Sequence, residues 1–337
     1  GGTLLVTLDG TTGAITQSGS PLLVTGTATF DAGGTVGGTN DITLDDTTND
    51  FSTVVISQGG NVVLDDANSI DLGGATVGGT LLVTLDGTTG AITQSGSPLL
   101  VTGTATFDAG GTVGGTNDIT LDDTTNDFST VVISQGGNVV LDDANSIDLG
   151  GATVGGTLLV TLDGTTGAIT QSGSPLLVTG TATFDAGGTV GGTNDITLDD
   201  TTNDFSTVVI SQGGNVVLDD ANSIDLGGAT VGGTLLVTLD GTTGAITQSG
   251  SPLLVTGTAT FDAGGTVGGT NDITLDDTTN DFSTVVISQG GNVVLDDANS
   301  IDLGGATVGG TLLVTLDGTT GAITQSGSPL LVTGTAT

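Results

Sequence analysis

The chain contains no lysine, arginine, histidine, cysteine, methionine, tryptophan or tyrosine. It also has no glutamate, so all 37 of its acidic residues are aspartate and the net charge is -37. Each absence removes a class of function. Without cations nothing can neutralise phosphate, so nucleic acid and anionic membrane surfaces are not expected partners. Without cysteine there is no disulfide framework and no thiolate metal site. Nucleophilic triads, zinc sites and phosphate loops lack their residues. The expected partners are cations, basic proteins, and neutral or host surfaces such as glycans. The missing trypsin sites and lysine amines suit a protein that lives outside cells.

Signals for targeting are missing too. There is no initiator methionine, no basic-plus-apolar leader and no long apolar run. The chain reads as a window of a longer protein, with leader and anchor expected elsewhere and no membrane insertion expected within it.

What is present is one unit repeated. The unit that opens Gly1-Gly2-Thr3-Leu4-Leu5-Val6 recurs unchanged from Gly78, Gly155 and Gly232, and a fifth copy runs from Gly309 to Thr337. The division is 1–77, 78–154, 155–231, 232–308 and a partial 309–337, read as one continuous body. A fixed period of this length signals repeat architecture. Gly is 62 of 337 residues, and with Thr, Val, Asp and Asn abundant a helix is disfavoured. Alternation of period two is plain in Leu22–Phe30, where Leu22, Val24, Ala28 and Phe30 share one face and Leu23, Thr25, Thr27 and Thr29 the other. Leu4, Val6 and Leu8 alternate likewise, as do Ile42 with Leu44 and Val62 with Leu64.

A shorter echo lies inside the unit. Leu8-Asp9, Leu44-Asp45-Asp46 and Leu64-Asp65-Asp66 resemble one another. The step from Leu44 to Leu64 is read as one coil, and the longer step from Leu8 to Leu44 as two, the second lacking the motif. This predicts four coils per unit, 1–20, 21–39, 40–60 and 61–77. The fold class is therefore all-β, a parallel β-solenoid whose coils rise by ~4.8 Å each, about 84 Å for the chain. Phe30 and Phe51 are the expected core fillers. The alternative is a string of small β-sandwiches, one per unit.

The aspartate doublets are the candidate site. Asp45, Asp46, Asp65 and Asp66 recur as Asp122, Asp123, Asp142 and Asp143, as Asp199, Asp200, Asp219 and Asp220, and as Asp276, Asp277, Asp296 and Asp297. Asp45 and Asp65, stacked one coil apart, would repel, and Ca²⁺ suits oxygen-only ligands that could relieve them. No cofactor is required. The bland reading is that aspartate sits in turns because it bonds its own backbone there. Gly37–Leu44 faintly echoes a calcium-binding Gly/Asp nonapeptide. The threonine face could order water, or be no more than solvent-facing strand. Paired carboxylates could hydrolyse glycosides, but pairs repeated in every unit without an aromatic platform point away from an enzyme.

Runs such as Gly60-Asn61-Val62-Val63-Leu64-Asp65-Asp66-Ala67-Asn68-Ser69-Ile70-Asp71-Leu72-Gly73, Val77-Gly78-Gly79-Thr80-Leu81-Leu82-Val83-Thr84 and Gly90-Ala91-Ile92-Thr93-Gln94-Ser95-Gly96 resemble the repeat regions of filamentous-haemagglutinin-like bacterial adhesins, the two-partner-secreted type. The resemblance implies a right-handed parallel β-helix serving as an extracellular stalk on the bacterial surface, and it brings no catalytic motif. The functional expectation is a structural shaft. The alternatives are a calcium-dependent adhesion module and, more weakly, a fibre of copies stacked end to end through open strand edges.

Overall fold

The structure is a computed structural model that describes residues 2–34, 40–111, 117–188, 194–265 and 271–337. These residues form 31 strands and no helix. They fall into two compact units, residues 1–164 with 172–174, and residues 165–171 with 175–337.

In the first unit all pairing is parallel, and each strand pairs not with the next strand but with the one after it. Leu4–Thr7 pairs with Leu23–Asp31 in the register Leu4↔Ala28, and the ladder continues Ala28↔Val54 and Val54↔Leu72. It goes on through Ile70↔Ile92, Ile92↔Ile119, Ile119↔Val139 and Val139↔Leu158. The skipped strands build a second ladder: Ile15↔Ile42, Ile42↔Val62, Val62↔Leu81, Leu81↔Ala105. The long strand Leu99–Asp108 joins the two, because its first residues pair with Ala75–Val77 and its last with Leu81–Thr84. This is the parallel β-solenoid expected from the sequence, and the bead-string alternative is set aside by strand pairing that crosses every repeat boundary within the unit.

The coil count differs from expectation. Seven pairing steps carry the strand Leu4–Thr7 to its twin Leu158–Leu162, two repeats on, so each repeat makes three and a half coils instead of four. The second unit repeats this by itself, with seven steps from the strand Ile169–Gln171 to its twin Ile323–Gln325. The division at 1–20, 21–39, 40–60 and 61–77 is thus corrected. The Leu-Asp echo samples two short coils, Ile42↔Val62 and Val62↔Leu81, whereas Ile15↔Ile42 and Leu81↔Ala105 close longer ones. Turn length, which carries no echo, sets the difference. A seven-strand repeat also places each strand and its copy on different ladders, Leu4–Thr7 on the first and Leu81–Leu85 on the second.

Alternation buries one side of the strands away from the chain's two ends. In Leu81–Leu85 the residues Leu81, Val83 and Leu85 are buried and Leu82 and Thr84 half-buried. Each fully buried aliphatic side chain contributes on the order of 1.5–3 kcal/mol of transfer free energy. Phe107 and Phe128 meet edge to face at 6.2 Å and 85°, as Phe30 and Phe51 do at 6.2 Å and 87°. The fully buried asparagines and aspartates are paired, whereas Gln58 Nε2 is buried without a hydrogen-bond partner. Asn126, fully buried, exchanges two hydrogen bonds with the Gln94 amide (2.7 and 2.9 Å), accepts from Leu99 N (2.8 Å) and donates to Leu121 O (3.3 Å). Two glycines are required by geometry. Gly74 lies at φ +131° in the bulge that shifts the register between Val54↔Leu72 and Ile56↔Ala75. At Gly90 a Cβ would stand 1.8 Å from Asn68 O.

Candidate functional site

The aspartate doublets are split by the same alternation that builds the core. Leu44 and Leu64 are register partners, so Asp45 and Asp65, the residues that follow them, stand side by side on consecutive coils. Asp86 follows one coil later, past Thr84, the register partner of Asp65, and Asp108 beyond it. The result is a ladder of carboxylates on successive coils, Asp45, Asp65, Asp86 and Asp108. It recurs as Asp122, Asp142 and Asp163 in the first unit, and in the second as Asp199, Asp219, Asp240 and Asp262, then Asp276, Asp296 and Asp317.

With no cation in the chain, burial and like charge act together on this ladder. Partial burial first, then Asp86 and Asp45, push the Asp65 carboxyl up to about 6 from its ordinary 3.8. Asp142 is pushed up to about 6 by burial and then by Asp163, with Asp122 adding a smaller push. Asp219, Asp296, Asp86 and Asp240 are raised as well, each chiefly by burial.

Asp46 and Asp66 do not join the ladder. Asp46 Oδ1 accepts from Thr48 N (3.0 Å) and Thr48 Oγ1 (2.6 Å), closing the turn that leads into Asp50–Gly59. The Thr48 hydroxyl and amide hold its carboxyl below the usual range. Asp123, Asp200 and Asp277 make the same turn with Thr125, Thr202 and Thr279. Asp66 points inward, as the period of Val62 and Leu64 requires, and is fully buried. Its Oδ2 accepts from Phe51 N (2.7 Å) and its Oδ1 from Asn68 N (2.9 Å). Asp143, Asp220 and Asp297 do the same for Phe128, Phe205 and Phe282. Burial outweighs these donors and raises all four, Asp143 and Asp220 to about 6. Each is a core bracket that satisfies two backbone amides of neighbouring coils.

Among the described residues no group of three or more carboxylates could hold a metal ion. The ladder brings carboxylates together in a line along the stack and not in a cage. In the nonapeptide-like stretch, residues 37–39 lie outside the described residues. Its remaining polar residues brace backbone: Asn40 Nδ2 donates to Ala32 O (2.8 Å), and Asp41 Oδ1 accepts from Asn61 N (2.8 Å). The threonine face is present in outline, with Thr25 exposed and Thr27 and Thr29 half-buried. The buried amide pairs, Gln17 with Asn49 and their copies, carry no signal in the sequence, since asparagine beside aspartate reads as a solvated turn.

No curated protein and no solved structure matches the chain. A family profile described as repeats of unknown function (DUF5649) matches residues 1–58, 59–135, 136–212, 213–289 and 290–337. Its three inner windows follow one another with the period of the sequence, begun at Gly59 instead of Gly1. Because these windows cover the chain from end to end, the chain belongs to the family of repeats of unknown function, DUF5649.

Proposed function

We propose that the chain is structural, a length of extracellular shaft in a bacterial surface adhesin or filament. The observation that supports this reading is the pairing rule: each strand bonds the strand two places on, so adding a repeat extends the ladders with the same contacts already in use. Every aspartate, amide pair and phenylalanine pair recurs with the repeat, which suits a scaffold whose property is length. The test is small-angle X-ray scattering on chains of two to six repeats. At three and a half coils per repeat, each added repeat lengthens a stiff shaft by about 17 Å. A maximum dimension that grows with the square root of repeat number would overturn the proposal.

A second reading is favoured by the carboxylate ladder: the shaft recruits cations, calcium among them, that neutralise Asp45, Asp65, Asp86 and Asp108 collectively and without a caged site. Thermal melts with millimolar Ca²⁺ and with chelator test it, and an unchanged midpoint sinks it.

A further inference from the structure

Among the described residues, each repeat leaves one large apolar side chain in solvent away from the chain's two ends. It is always the same one: Leu100, Leu177 and Leu254 are each 38% exposed, and Leu23 in the first copy 62%. Around Leu177 the second unit has a groove of ≈ 430 Å³, within the range of about 300–1,000 Å³ usual for ligand clefts. Its floor is Val178, Phe205 and Ile224, and Leu177, Asp204 and Asp225 stand at its sides. Parallel register brings these together from successive coils: Leu177 pairs with Asp204 and Val178 with Phe205, while Asp225 pairs onward with Thr247.

Both carboxylates are held in place by neutral donors. Asn222 Nδ2 donates to Asp204 Oδ1 (3.1 Å), Thr247 Oγ1 donates to Asp225 Oδ1 (3.1 Å), and Ser249 Oγ donates to Asp225 Oδ2. The same frame is present in the first unit, where Leu100 pairs with Asp127 and Asn145 Nδ2 donates to Asp127 Oδ1 (3.1 Å).

We propose that this groove, once per repeat, docks an extended cationic segment of a partner protein. An aliphatic stem of lysine or arginine lies along the exposed leucine, and its charge meets Asp204 and Asp225. Charge complementarity selects the occupant: the chain has 37 aspartates and no cation of its own, so a basic partner is drawn to every face. The leucine selects among basic partners. A bare metal ion would leave it in water, and a neutral sugar would leave two carboxylates unanswered, whereas lysine and arginine carry an apolar stem and a charged head together. Length agrees as well. The groove crosses four coils, ~14 Å at the usual strand spacing, and four extended residues span about 13 Å.

The test uses the full chain with labelled leucine methyls and, as probe, an acetylated and amidated tetrapeptide of alternating lysine and valine. Identical repeats collapse the spectrum to a few leucine classes, so the class of Leu23, Leu100, Leu177 and Leu254 reports the groove directly. The expected result is a saturable shift confined to that class. Changing Asp50, Asp127, Asp204 and Asp281 together to Asn weakens binding about tenfold. Changing Asp45, Asp122, Asp199 and Asp276 to Asn removes the same charge elsewhere and alters it less than about twofold. Leu177→Ser with its three copies also weakens binding, charge unchanged. Equal losses from the two Asn sets, or shifts spread over all leucine classes, would reduce the effect to a diffuse ion atmosphere and overturn the proposal. So would a neutral trisaccharide that moves the groove class when the peptide does not. Should a variant fail to fold, the shift map of the unaltered chain still decides.

Discussion

Acid should stabilise this protein over the range in which it destabilises most others. Ordinary acid denaturation protonates carboxylates that are ion-paired in the native state and charges buried histidines. Here there is no histidine and no cation to pair with, and burial and like charge raise carboxyls on the ladder and in the core. Asp65 and Asp142 on the ladder, and Asp143 and Asp220 in the core, rise from 3.8 to about 6. The sign follows from the direction. A carboxyl with a folded pKa above its unfolded value contributes stability that is complete below about 3.8 and lost as pH climbs through about 6. A rise of that size corresponds to about 3 kcal/mol per group, which solvent screening of these half-exposed ladder sites reduces to about 1 kcal/mol. Counting one ladder and one core carboxyl at that discounted size gives about 2 kcal/mol per repeat. Between pH 7.5 and pH 5 these carboxyls traverse a little under half of that change, about 1 kcal/mol per repeat, so with about 2.1 cal/mol/K of unfolding entropy per residue the melting midpoint should rise by about 5 °C. The assay is a circular-dichroism melt across that interval, throughout which the chain stays strongly negative and repels its copies. Molar salt should remove only part of the slope, because burial is the first cause and repulsion the second. Replacing Asp65, Asp142, Asp219 and Asp296 together by Asn should roughly halve it, because the core carboxyls Asp66, Asp143, Asp220 and Asp297 remain raised by burial. A midpoint that is constant or falls on acidification refutes the reasoning.

Three further outcomes are expected. Asn126→Ala strips four hydrogen bonds from a fully buried site and should cost about 2–4 kcal/mol locally, read as faster amide exchange at Leu99 and in the strands beside it. Gly90→Ala puts a Cβ 1.8 Å from Asn68 O, so the turn must open. Its thermal midpoint should fall by several degrees, and an unchanged midpoint would show that the two backbones do not meet there. Deleting residues 78–154 should leave strand content per residue and the midpoint nearly unchanged, since each remaining strand keeps the same kind of partner. A broadened or early melt would show that the repeat boundary itself is special.

Much of the cross-section was legible in the sequence, and the coil was not. Period two gave the buried set directly, so Val24, Ala28 and Phe30 lie inside and Leu23 and Thr25 outside. The Leu-Asp echo placed Asp45 beside Asp65, because an aspartate that directly follows matched leucines keeps its register whatever the turn length. The length of a coil depends on those turns, which run without a motif, and two short coils stood in for all of them. Asp66 is the instructive case. Counting by twos from Val62 and Leu64 sends it inward, yet an aspartate doublet reads as solvated turn. Hydrogen bonds from Phe51 N and Asn68 N make the inward position tenable for a carboxylate. The same holds for Asn49, whose partner Gln17 is remote in sequence and is brought to it only by the long coil that pairs Ile15 with Ile42.

The half coil explains how seven strands can repeat without a sequence change. An integral number of coils would return every strand to its own ladder, and each ladder could then specialise. With seven strands per repeat, Leu4–Thr7 lies on one ladder and Leu81–Leu85 on the other, so one sequence has to serve both. It can do so because a strand's neighbours are fixed by strand order: the main partner lies two strands before or after, whichever ladder holds it, and the extra pairing of Leu99–Val101 with Ala75–Val77 recurs as Leu253–Val255 with Ala229–Val231. Val62 meets Leu81 on one ladder and Val139 meets Leu158 on the other, in identical register. A substitution made in every copy therefore samples both ladders at once, and a groove at Leu100 and its copy at Leu23 belong to strands of different ladders. Any partner that engages successive grooves must reach from one ladder to the other. That favours a flexible, extended basic segment over a rigid domain, and spaces the binding sites by one repeat of sequence while the structure returns to itself only after two.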